Sequence, residues 1–239
     1  MTTTKTKSND KNSSDDTRAR ILNAASELIA QQGPQNFRVR ELAAAADTNV
    51  ASISYYFGSK KELVEEVLIN IFTPINNQRM KLLKEFEADC FPEPVSVEKI
   101  AEALIRPLVE SKRAQDGGSL YIRALQHVRA APAEAPNIFV FSTFDNVAQY
   151  FIDSMQKALP HITRAEMIWR YELVRGAAVH MLSNCDPISG KFRHLAKSDE
   201  MIDIDDAEAV LKELCVFSVA GLSAAPSWSE KELVKRPKS

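Results

Sequence analysis

The chain has 239 residues, 45% of them hydrophobic and 26% charged, with only 7 glycines, which suits a soluble and largely helical protein of one large or two smaller domains. No apolar run approaches the ~18–20 residues needed to cross a bilayer. The N-terminus, M-T-T-T-K-T-K-S-N-D-K-N-S-S-D-D, lacks the apolar core of a signal peptide. The three cysteines, Cys90, Cys185 and Cys215, are odd in number and far apart, so reduced thiols in a cytoplasm are expected rather than a disulfide framework. A net charge of −2 hides a mild gradient, with nine Lys/Arg against seven Asp/Glu over residues 1–62. That bias alone does not identify nucleic acid as a partner.

Residues 1–14 are polar and read as a disordered N-terminal tail. A helix is expected over residues 16–32, with Ile21, Leu22, Ala25, Leu28 and Ile29 on its apolar face and Gly33-Pro34 ending it. Val39, Leu42, Ala43 and Ala46 then fall at i, i+3, i+4 and i+7, the spacing of one apolar helical face. Asp47-Thr48-Asn49 interrupts that face, and Val50, Ile53 and Phe57 resume it. Helix, tight turn and a second helix opening on small polar side chains make a helix-turn-helix over residues 38–57, the unit that lays its second helix in a DNA major groove. Two short core helices are the bland alternative, but such a pair has no need of Ser52, Ser54, Tyr55 and Lys60 along one outward rim.

Ser59-Lys60-Lys61-Glu62 is a capping-box pattern that opens a fourth helix over residues 60–86. Pro74 lies inside it, so a kink or a break is expected there. Residues 89–96, with Pro92 and Pro94, read as a loop. Helical patterns recur over residues 97–112, 118–129, 137–158, 163–185 and 205–224, separated by Gly117-Gly118, Pro132–Pro136, Pro160 and Asp186-Pro187. No alternating strand pattern or internal repeat is visible, and the segment from Ser227 reads as a loose tail. The expected fold is all-α with about nine helices.

The run N-V-A-S-I-S-Y-Y-F-G-S-K-K-E-L, preceded by Q-Q-G and V-R-E-L-A, resembles the DNA-binding domain of the TetR family of bacterial repressors over residues 17–71. The resemblance implies a DNA-binding domain at residues 15–75 and a ligand-binding and dimerisation domain at residues 76–226. It further implies a homodimer on a palindromic double-stranded DNA operator, released by a small-molecule effector, with no cofactor and no membrane partner. By position, Arg40 matches a base-reading side chain, able to fork onto guanine O6 and N7. Asn49, Val50, Ala51 and Ser52 match the leading edge of the recognition helix, where Ser52 can hydrogen-bond a base and Val50 and Ala51 can meet thymine methyls. Tyr55 and Tyr56 match the aromatic pair of which at least one donates to a phosphate, and Lys60 matches a phosphate-binding lysine at a helix N-terminus.

Two residues depart from the family pattern. Arg38 stands where a Ser or Thr cap is usual, leaving Asn36 as an alternative cap and freeing Arg38 to touch phosphate. Asp47 replaces the usual turn glycine, and Asp tolerates left-handed backbone better than most residues.

An effector pocket is expected among Tyr121, Leu125, His127, Phe144, Phe151, Trp169 and Arg170, with Phe139, Met155, Tyr171 and Met181 as further aromatic or methionine candidates. That lining suggests an apolar or amphipathic effector. Plain core packing is the competing reading for the apolar members. For Arg170 and Arg175 the competitors are helix-surface ion pairs with Glu166 and Glu172. The two helices over residues 163–185 and 205–224 sit where the family dimerises, and Ala177, Ala178, Ala209, Ala220 and Gly221 permit close helix packing there. His127, His161, His180 and His194 are scattered, so no metal site is expected. No phosphate-cradling glycine loop or nucleophile with an activating base is recognisable, so no catalytic residue is expected. The rival functional reading is a DNA-binding factor without an effector.

Overall fold

The computed structural model describes residues 6–111, 119–130, 142–185 and 203–226, with side chains from residue 15 onward. Nine helices and no strand occur among the described residues: α1 Thr6–Gln32, α2 Val39–Ala45, α3 Val50–Phe57, α4 Lys60–Cys90, α5 Val97–Ser111, α6 Leu120–Ala130, α7 Asp145–Ala158, α8 Arg164–Asn184 and α9 Ala207–Leu222. The all-α class read from the periodicity is the class observed. Phe139, His194 and the tail from Ser227 lie outside the described residues.

Two details of the chain path bear on the sequence reading. Helix α1 begins at Thr6, so residues 6–14 are helical backbone rather than tail. No Pro or Gly interrupts that stretch, and extending a nucleated helix gains a hydrogen bond for each residue fixed. Helix α4 is assigned without a break through Pro74. Proline removes one backbone donor, so of the two alternatives a break does not occur at Pro74, and Phe72 and Ile75 beside it are both buried.

The chain divides into two compact units. The first gathers the described residues of Met1–Pro74 and Leu120–Thr143, the second those of Ile75–Ser119 and Phe144–Ser239. Helix α6 clusters with the first unit, where its buried Tyr121, Ile122, Ala124, Leu125 and Val128 lie on a helix that packs against α1. Ile21, Ala25, Leu28 and Ile29 supply the buried side of α1, as their 3.6-residue spacing requires. Tyr121 meets Phe72 edge-to-face at 5.0 Å.

In the second unit α5 is the centre, packing against α7, α8 and α9. Val97, Ile100, Ala101, Ala103, Leu104, Ile105, Leu108 and Val109 of α5 are all buried. Helix α8 packs in turn against α7 and α9.

Candidate nucleic-acid interface

The first unit builds the helix-turn-helix from α2 and α3. Gly33, at φ 89, ends α1 and donates its N–H to the Ile29 carbonyl at 2.9 Å, a left-handed C-terminal position that favours glycine. Asn36 donates Nδ2 to the Gln32 carbonyl at 2.7 Å, so it closes the end of α1 and does not cap α2. Arg38 occupies the N-cap of α2 in extended conformation. A guanidinium has no acceptor, so the Glu41 carboxylate does the work instead, accepting from the Arg38 N–H at 3.4 Å and from Gln32 Nε2 at 2.5 Å. Arg38 and Arg40 are both exposed.

The turn into α3 passes through Asp47 at φ 47, the left-handed conformation expected at the site of the missing glycine. Asn49 caps α3: its Oδ1 accepts from the Ser52 N–H at 2.8 Å and from Ser52 Oγ at 3.2 Å. Replacing Asn49 with Ala should therefore lower stability by about 1 kcal/mol. Urea unfolding followed by circular dichroism measures this, and an unchanged midpoint would dismiss the cap. The same bond directs the Ser52 hydroxyl proton inward and leaves the oxygen as an acceptor.

Burial of Ile53 and Phe57 sets the orientation of α3. The opposite side carries Val50 at 42% exposure, Ala51, Ser54 and Tyr55 at 82%. The aromatic pair is thus divided. Tyr55 stands outside, while Tyr56 is half-buried, edge-on to Tyr55 at 5.1 Å and to Phe57 at 6.4 Å.

Ser59 and Glu62 form the expected capping box. The Ser59 N–H and hydroxyl both donate to Glu62 Oε2 at 2.8 Å, and the Glu62 N–H returns to Ser59 Oγ at 3.2 Å. These Ser59 bonds hold the Glu62 carboxyl below the usual carboxylate range. Lys60 is placed differently from a solvent-facing phosphate ligand. Its Nζ donates to the carbonyls of Gln35 at 2.8 Å and Phe37 at 2.7 Å, and lies 4.3 Å from the Phe37 ring centroid. Partial burial lowers its pKa from the ordinary lysine value.

Two arginines in this unit reach partners distant in the chain, although Arg20 also lies 3.8 Å from Asp16 one turn earlier on α1. Arg18 pairs with Glu66 and lies 5.0 Å from the Phe57 ring centroid, bracing the end of α3. Arg20 lies 3.7 Å from the Asp47 carboxylate across the α2–α3 turn.

The expected pocket residues do not form one group in either unit. Tyr121, Leu125 and His127 sit on α6 in the first unit; Phe144, Phe151, Trp169 and Arg170 belong to the second. Phe151 is fully buried and Phe144 half-buried. Trp169 is 71% exposed, because the inward side of α8 is taken by Met167, Arg170, Tyr171, Val174 and Ala178. Arg170 is buried and fully engaged in protein contacts. It donates to Glu166 at 2.8 Å, to the carbonyls of Ala224 at 2.8 Å and Ala225 at 3.0 Å, and to that of Leu222. The ion-pair readings of Arg170 with Glu166 and of Arg175 with Glu172, at 2.8 and 2.6 Å, are those the structure shows.

A second surface lies on α8 and α9. Trp169 and Leu173 on α8, at i and i+4, are 71% and 66% exposed, and Val216 and Phe217 on α9 are 60% and 67% exposed. A Cβ built at Gly176 or Gly221 meets nothing within 4 Å. Ala220 and Gly221 face outward, whereas Ala178 is buried within the unit. With Ile168 on α8, five large apolar side chains stay exposed on these two packed helices, and exposed apolar side chains gathered in a patch mark interaction sites.

No three His, Cys, Asp or Glu side chains among the described residues are grouped to hold a metal ion, and no helix among them is long and apolar enough to cross a membrane.

These features define an all-helical protein with an N-terminal helix-turn-helix and a second helical unit. The chain belongs to the TetR family of bacterial regulatory proteins: the family model for its N-terminal domain matches residues 21–67, and that for a tetracyclin repressor-like C-terminal domain matches residues 102–221, half of the chain. Its sequence is 30% identical over 132 residues to the HTH-type transcriptional repressor NicS of Pseudomonas putida, a match covering 52% of this chain and 60% of that protein. In fold it is similar to the TetR family regulator PfmR of Thermus thermophilus, with a TM-score of 0.54, 18% identity and 86% and 100% of the two chains covered. It is likewise similar to a TetR-like regulator from a Rhodococcus species, with a TM-score of 0.52, 16% identity and 87% and 97% coverage.

Proposed function

We propose that the protein is a sequence-specific DNA-binding repressor that grips a palindromic operator as a homodimer and is released by a small apolar or amphipathic effector. The observation that carries the reading is the outward rim of the helix-turn-helix. Ile53 and Phe57 turn inward, so Val50, Ala51, Ser52 and Tyr55 line one accessible edge of α3, with Arg40 exposed on α2. An edge of this make-up suits a major groove, with small side chains near the base edges and a tyrosine hydroxyl and arginines at the periphery. The P. putida relative bears the name of a repressor, which favours repression over activation. The exposed apolar face of α8 and α9 supports dimerisation, and two-fold symmetry calls for a palindromic site. The match to a tetracyclin repressor-like C-terminal domain supports an effector. Helix α4 contributes residues to both units, which makes it the natural element for an effector to bias.

The roles divide by chemistry. Arg40 reads a base with its guanidinium, and Tyr55 binds phosphate through its exposed hydroxyl, with Arg38 and Tyr56 alongside. Selection of duplexes from a randomised library by the full-length protein should enrich a palindrome. Arg40→Ala should then weaken binding to that duplex by about 1–3 kcal/mol and relax the preference at one base pair. Equal weakening on a scrambled duplex would remove Arg40 from base reading. Enrichment of a non-palindromic sequence would remove the dimeric mode.

A further inference from the structure

We infer that Lys60 is a positioning residue of the reading head, tying the first turn of α4 to the turn that leads into α2 and so fixing where Arg40 and the rim of α3 stand. The inference rests on the DNA-binding reading above and assigns Lys60 a role other than the phosphate contact.

Three observations carry it. An ammonium in the first turn of a helix sits at the positive end of the helix dipole, a location that disfavours it. The cost is modest, and Lys60 has two good acceptors that offset it: the carbonyls of Gln35 and Phe37, at 2.8 and 2.7 Å. A lysine has three N–H donors, so two of the three point into the protein. The Phe37 side chain, 1% exposed, is locked in the core of the unit and places its ring 4.3 Å from the ammonium. A lysine kept for phosphate alone needs neither constraint.

The clasped turn also has little room at its other end. Gly33 has φ 89, and a Cβ there would lie 3.2 Å from Nδ1 of His127 on α6. Residues 33–38 are therefore closely approached at Gly33 by α6 and hydrogen-bonded at Gln35 and Phe37 by α4, and α2 starts immediately after them. With the turn fixed, Arg40 projects from a defined place. Without the clasp, the turn gains freedom and the base contacts of α2 and α3 lose their common register, while the charges available to the phosphate backbone hardly change.

The test uses full-length wild type, Lys60→Met and Lys60→Arg, with the duplex that wild type enriches from a randomised library and a scrambled duplex of equal length, each titrated across salt. Lys60→Met keeps the stem over Phe37 and removes the donors. Lys60→Arg keeps the charge and is a good phosphate ligand. However, it is longer than lysine and ends in a wide planar fork, so it is not expected to enter the space between the Gln35 and Phe37 carbonyls and the buried Phe37 ring where the ammonium fits. Both variants are expected to lose about tenfold in discrimination between the two duplexes, the size of one charge-assisted hydrogen bond, with the salt slope on the scrambled duplex unchanged. Amide exchange over residues 39–42 should quicken in Lys60→Met. Full discrimination in Lys60→Arg overturns the inference. So does a Lys60→Met protein that keeps its discrimination while its salt slope falls by about one on both duplexes, the signature of a lost phosphate contact. If Lys60→Met does not fold, Lys60→Arg decides alone. A wild type that prefers no duplex overturns the DNA-binding reading, and the inference with it; loss of the inference alone leaves that preference intact.

Discussion

Changing Trp169 and Phe217 to glutamate together is expected to turn a dimer into a monomer. The two side chains are 71% and 67% exposed in the single chain, so the fold of the subunit loses little by their replacement. In a two-fold assembly built on α8 and α9 each becomes buried, and an aromatic of this size removes about 150–250 Å² from water. Truncating such anchors costs about 2–4 kcal/mol each at an interface, and the introduced carboxylates add charges that the closed interface would have to desolvate. Light scattering at micromolar concentration should report the mass of one chain, with an unchanged far-ultraviolet dichroism spectrum. Affinity for a palindromic duplex should fall with it, because two heads tethered on one dimer bind with a high effective concentration. A variant that stays dimeric would move the interface elsewhere on the molecule.

Arg170→Met is expected to destabilise the second unit by about 3–5 kcal/mol, the cost of breaking a buried pair. The guanidinium does two jobs. It neutralises Glu166, which is 4% exposed, and it satisfies the carbonyls of Leu222, Ala224 and Ala225 where α9 ends. Helix ends leave carbonyls without intrahelical donors, and here a side chain from α8 supplies the missing donors. Combining Arg170→Met with Glu166→Leu separates the two jobs. Removing both charges should recover the part of the loss owed to the buried carboxylate, and the part owed to the α9 carbonyls should remain. Urea unfolding of the three variants measures this. Complete recovery in the double variant would show that the carbonyl bonds contribute nothing, and a neutral Arg170→Met would dismiss both roles.

The helices were legible because their signals are local. A 3.6-residue apolar period, the Gly33-Pro34 stop, Asn49 before α3 and the Ser59–Glu62 box each involve residues within a turn of one another, and the structure places helix ends at all of them. The left-handed Asp47 belongs to the same class: φ 47 follows from a tight turn between two helices whose faces must both pack. The ion pairs Glu166–Arg170 and Glu172–Arg175 were visible for the same reason, since residues three and four apart share a helix face.

The particular assignments that shifted depend on partners far away in sequence. Lys60 finds carbonyls 25 and 23 residues back in the chain, Arg170 finds them more than 50 residues on, and α6 joins the N-terminal unit through its packing with α1. Trp169 shows the limit most plainly. An aromatic at helical spacing reads as core or pocket from sequence alone, and only the packing of α8 against α5, α7 and α9 decides that its side faces outward. The sequence by itself determined an all-helical chain of the TetR type, its helix-turn-helix and the residues along its rim, because propensity, capping and periodicity act over a few residues. The tertiary structure decided which polar groups satisfy one another and which apolar ones stay outside, because a buried donor or acceptor takes its partner from whatever element the fold brings within about 3 Å.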